Sequence, residues 1–99
     1  MENDFSYKLR AIRLAEGLTQ PALNKVTGLP LSSIKNYESG GNMVGLETVK
    51  RILTVERFQK YTLWLMIGKT SEAAGQISPP LAHTGRAKTE SPLLTDRAG

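Results

Sequence analysis

An all-α fold of five short helices, followed by a short extended (β) segment and a disordered tail, is predicted by three features of this sequence. Apolar residues recur at helical spacing between residues 5 and 67. Glycine, proline or a small hydroxyl residue punctuates most of those stretches, as helix ends require. Past Gly68 the composition shifts to Thr, Ser, Gly, Pro and Ala, and the helical period is lost. With 99 residues, 39% of them hydrophobic, the chain has material for one core and not for two.

Phe5, Leu9, Ile12 and Ala15, joined by Ala11 and Leu14, mark an amphipathic helix over residues 5 to 15, which Gly17 stops. Thr19 offers a capping hydroxyl to the next helix, and Pro21 suits its first turn, where a missing N–H has no consequence. That helix runs to about Thr27 and is expected to bury Ala22, Leu23 and Val26. Gly28 can take the positive φ of a sharp turn, and Pro30 fixes φ for a third helix over Leu31–Glu38. Only Ile34 and Tyr37 of this helix look like core members. Leu31, Ser32, Ser33, Lys35 and Asn36 point elsewhere. After a loop at Gly40, Gly41 and Asn42, a fourth helix over Leu46–Leu53 turns Leu46, Val49, Ile52 and Leu53 inward.

A fifth helix is expected over residues 56 to 67. Phe58, Tyr61, Leu63, Trp64, Leu65, Met66 and Ile67 spread round more of it than one surface stripe accounts for. Either it is a deep core helix, or Leu63, Trp64, Met66 and Ile67 cover a second copy of the chain. Burying one such side chain is worth roughly 1.5–3 kcal/mol, so two or three per subunit sustain a dimer. In the following segment Ile77 and Leu81 flank two prolines, which permits an extended edge but not a central strand. The expected organisation is a helical unit with a dimerising fifth helix at 1–68, an extended segment at 69–85 and a disordered tail at 86–99.

Charge narrows the partner class. The chain carries a formal +4, and the 46–70 stretch holds Lys50, Arg51, Arg57, Lys60 and Lys69 against Glu47 and Glu56, a local +3. These bases either meet a polyanion or form a solvated helix face. No cysteine and one histidine, His83, leave no thiolate or His-cluster metal site and no Cys nucleophile. Neither a signal-peptide pattern nor an apolar run near the ~18 residues of a membrane span is present. A cytoplasmic protein without cofactor or metal is expected. Ser32 and Ser33 have no base beside them, which argues against an enzyme.

Two short helices around a tight turn suit a helix-turn-helix, whose second helix enters the major groove. Leu31, Ser32, Ser33 and Asn36 then meet base edges: serine donates or accepts, asparagine pairs with adenine, and leucine touches a thymine methyl. Gln20, Lys35, Ser39 and Asn42 fall where phosphates run.

The motif R-x-x-x-G-L-T-Q-x-x-L-x-x-x-T-G-L-P-x-S-x-I-x-x-Y-E-S-G, residues 13 to 40, resembles the helix-turn-helix of the lambda-repressor and Cro class. Together with YTLWLMIG and GQISPPLAH it is similar to the short immunity repressors of temperate enterobacterial phages. The resemblance implies a five-helix DNA-binding domain, double-stranded operator DNA as partner, a homodimer on half-sites that silences a lytic promoter, and a dimerising C-terminal segment. It also implies an ion pair between Arg13 and Glu38. Pro30 and Leu31 depart from the class, which often has a hydroxyl cap and a polar base-reader there. Larger members carry a self-cleaving domain for which this chain has no room, so an antirepressor protein is expected to relieve repression. The same domain also suits another bacterial transcriptional regulator or the antitoxin of a toxin–antitoxin pair, for which the tail after Gly85 has few apolar anchors beyond Leu93 and Leu94.

Overall fold

Among the described residues, five α-helices and one 3₁₀ segment fold into a small all-α body. The structure, a computed structural model, describes residues 4–41 and 43–80. The helices are α1 (Asp4–Ala15), α2 (Gln20–Thr27), α3 (Leu31–Glu38) and α4 (Leu46–Leu53), then a 3₁₀ segment (Glu56–Tyr61) that leads into α5 (Thr62–Ile67). Helix α3 packs on both α1 and α2, the 3₁₀ segment on α4, and α5 back on α1.

Each element contributes its periodic apolar residues to one core. Leu9 and Ile12 come from α1, Leu23 from α2, Ile34 and Tyr37 from α3, and Val49 and Ile52 from α4. Phe58, Tyr61 and Leu65 close it from the far side. Two residues expected inside are outside: Val26 keeps 38% of its surface exposed and Leu46 68%. Leu46 is the first residue of α4, ahead of the turns that touch the core, and the inward row of that helix begins at Val49. Val26 lies in the last turn of α2, where Leu23 and Thr27 are the buried members.

The fifth helix is not continuous, and Gln76 shows why. In an unbroken α-helix the N–H of Leu63 would donate to the carbonyl of Gln59. Instead the Gln76 side chain sits in that gap, its Oε1 accepting from the Leu63 N–H at 2.8 Å and its Nε2 donating to the Gln59 carbonyl at 2.9 Å. A side chain inserted into the hydrogen-bond ladder breaks helical regularity. Here it separates the 3₁₀ turns from α5. Gln76 is held in turn by a turn closed through an isolated bridge to Ser71, whose N–H donates to the Gln76 carbonyl at 2.9 Å. The adjoining Ile77 N–H donates to the Lys60 carbonyl at 2.8 Å. The extended segment expected after Gly68 therefore begins as a turn strapped across the 3₁₀ segment.

Glu16, just past α1, gathers the other side of the 3₁₀ segment. It accepts from Tyr61 Oη at 2.7 Å and pairs with Arg57 Nε at 2.9 Å and Lys60 Nζ at 3.0 Å. Burial pushes its carboxyl upward, but the hydrogen bonds from Tyr61, Lys60 and Arg57 outweigh that and hold it below its ordinary value. Burial, then the bond to Glu16, raises the Tyr61 hydroxyl. Two of the five bases in the 46–70 stretch thus serve the fold.

Candidate nucleic-acid interface

The turn between α2 and α3 is built from local chemistry. Thr19 Oγ1 accepts from the Ala22 N–H at 3.1 Å and caps α2. Gly28 closes that helix at φ +80°, its N–H bonded to the Asn24 carbonyl at 2.8 Å, in a region where a side chain is strained. Pro30 then opens α3 with no side-chain cap. Ile34 and Tyr37 anchor α3 in the core, and the Ser6 hydroxyl donates to the Tyr37 carbonyl, tying α3 to α1. The Tyr37 hydroxyl is buried with no hydrogen-bond partner among the described residues, and burial raises its pKa.

With two residues anchored, the opposite edge of α3 faces outward. Ser32, Lys35 and Asn36 are exposed, while Leu31 and Ser33 are half-buried. Ser33 and Asn36 also border a hollow shared with Tyr37, Met43, Val44 and Thr48. Ser32, Lys35, Asn36 and Ser39 recur at the spacing of one helix face, and the Ser39 hydroxyl donates to the Asn36 carbonyl at 3.0 Å. Lys35 has no ion-pair partner among the described residues.

Glu38, at the end of α3, joins three helices. Its side chain is 4% exposed, and Arg13 meets it with a fork: Nε to Oε2 at 2.7 Å and Nη2 to Oε1 at 2.8 Å. The third Arg13 donor, Nη1, takes the Leu18 carbonyl at 2.8 Å, fixing the link between α1 and α2. Gln20, expected to reach phosphate, donates its amide nitrogen to Glu38 Oε1 at 3.0 Å. That bond fixes the Gln20 side chain at the start of α2. A second arginine stands nearby that sequence reasoning passed over: Arg10 Nε is 3.9 Å from Glu38 Oε1, with its side chain 51% exposed. Its position one turn before Arg13 was the available signal.

The residues expected to cover a second copy divide into two groups. Leu63 and Trp64 are half-buried, whereas Met66 keeps 43%, Ile67 60% and Ile77 40% of their surface exposed. Lys8 fixes the direction of α5, donating to the Trp64 carbonyl at 3.0 Å while lying 5.2 Å from the centre of the Trp64 ring. Asn42 and Leu81, together with His83 and the tail, lie outside the described residues. Among the described residues there is no grouping of three metal-binding side chains, and no helix is long and apolar enough to cross a membrane.

Comparison with known proteins agrees with this arrangement. Residues 9–55, from α1 through α4, match the family described as Helix-turn-helix. Over all 99 residues the chain is 36% identical to Repressor protein C of Escherichia phage P2, covering 100% of both chains.

Proposed function

The chain belongs to the helix-turn-helix family of phage repressors, and on that premise we propose how it acts: as a DNA-binding transcriptional repressor and not an enzyme, it holds a lytic promoter silent as a homodimer on two operator half-sites. The observation that carries this reading is α3. Its inner residues Ile34 and Tyr37 are buried, its outer edge offers Ser32, Lys35 and Asn36, and its end is clamped by the Arg13–Glu38 fork. A rigid helix with an outward row of small hydrogen-bonding side chains suits base edges.

Leu31, Ser32, Ser33 and Asn36 read bases, while Gln20, Lys35, Ser39 and Asn42 meet phosphate. Residues 1–68 carry the reading and pairing functions, and 69–85 extends the pairing surface. The exposed Met66, Ile67 and Ile77 support that pairing. The protein acts on DNA in the cytoplasm of a bacterial host, where maintenance of lysogeny ends through an antirepressor.

Selection of binding sites from random DNA, followed by footprinting, tests the reading. Two half-sites are expected, their centres about 34–36 Å or a multiple apart for a two-fold dimer. Asn36→Ala should relax preference at one base position and cost about 1–3 kcal/mol, whereas Lys35→Ala should weaken all sequences evenly. Binding that is salt-sensitive but indifferent to sequence overturns the proposal.

A further inference from the structure

The Glu38 cluster holds one positive charge more than its carboxylate needs. Both carboxylate oxygens are occupied by Arg13, and Oε1 also accepts from Gln20. Arg10, at 3.9 Å, is beyond hydrogen-bond distance of that oxygen. One carboxylate between two guanidinium groups leaves a net +1. Exposure shows where the surplus charge resides, for the Arg13 side chain is 10% exposed and the Arg10 side chain 51%.

We propose that Arg10 is a DNA-phosphate contact, kept available for that role because Arg13 already saturates Glu38. This deepens the operator-binding reading and rests on it. Arg10 lies on α1 beside the Gln20 end of α2, and the first helix of a helix-turn-helix crosses the DNA backbone. A cation at that seam faces phosphate oxygens when α3 enters the groove. The planar fork of arginine matches phosphate geometry. Its present association with Glu38 does not compete, since a half-exposed pair at this separation contributes little. Were Arg13 absent, the same carboxylate would draw Arg10 inward.

Binding of the full-length protein to its selected operator, measured across a series of salt concentrations, tests this. Arg10→Ala should weaken binding about tenfold at fixed salt, the loss of one charge-assisted contact. The slope of log K against log salt should become shallower by about 0.9, and Arg10→Lys should keep it. Base preference and melting temperature should match the parent protein. An unchanged salt slope for Arg10→Ala overturns the assignment, as does a loss explained by a lower melting temperature or confined to one base position. If the parent protein shows no operator preference, the functional reading fails first. If it does and the slope is unmoved, only the role of Arg10 fails.

Discussion

Replacing Glu38 by alanine removes the partner of a nearly buried guanidinium. Arg13 would keep one strong acceptor, the Leu18 carbonyl at 2.8 Å, but Nε and Nη2 would lose theirs, and the Gln20 amide would lose its acceptor as well. Removing one member of a buried ion pair costs roughly 3–5 kcal/mol. Because the Arg13 side chain retains 10% exposure and its third bond survives, the lower end applies, about 3 kcal/mol. Each kcal/mol moves the melting temperature of a domain this size by about 4–8 °C, so a fall of about 12–24 °C is expected. Urea unfolding followed through the fluorescence of Trp64, the one tryptophan in the chain, gives the free energy directly. A cycle with Arg13→Met isolates the coupling between the two residues. A loss of less than about 1 kcal/mol for Glu38→Ala would refute the reasoning, because that is how a solvent-screened surface pair behaves.

Two further outcomes follow from other parts of the structure. The Glu16 carboxyl is held below its ordinary value of 4.5, so its ionised form stabilises the fold above that value, and the contribution disappears as pH falls through the depressed folded value. The urea midpoint of the parent protein should exceed that of Glu16→Gln at neutral pH and converge with it on acidification; a gap that persists in acid contradicts this. The double substitution Met66→Lys with Ile67→Lys should leave the helical signal intact and weaken self-association by at least about tenfold in sedimentation, since burial of one such side chain is worth roughly 1.5–3 kcal/mol. Unaltered sedimentation would place any pairing surface elsewhere.

The sequence was most legible where structure is set by near neighbours. Thr19, Pro21, Gly28 and Pro30 act within one turn of themselves, and the bounds of α3 and α4 follow from them and from the apolar period. Long-range contacts were not visible in this way. The pairing of Arg13 with Glu38 spans 25 positions and entered only through resemblance to a known class. The Gln20–Glu38 bond and the nearby Arg10 had no sequence signal beyond their position on helix faces. Periodicity puts Leu46 inward while the structure exposes it, because periodicity describes a face and not where along it the core begins. The interruption at Gln59–Leu63 was hidden for a related reason. Residues three apart share a face in both α and 3₁₀ geometry, so Phe58 and Tyr61 fit either.

The 3₁₀ segment ahead of α5 also sets an azimuth. An α-helix advances about 100° per residue and a 3₁₀-helix about 120°. Over the six residues Glu56–Tyr61 that difference accumulates to about 120°, a third of a revolution. Met66 and Ile67 consequently emerge on a different compass bearing from the one a continuous helix would give them. The 3₁₀ turns, closed at their end by the Gln76 amide, thereby phase the exposed apolar side chains of α5 against the outward edge of α3.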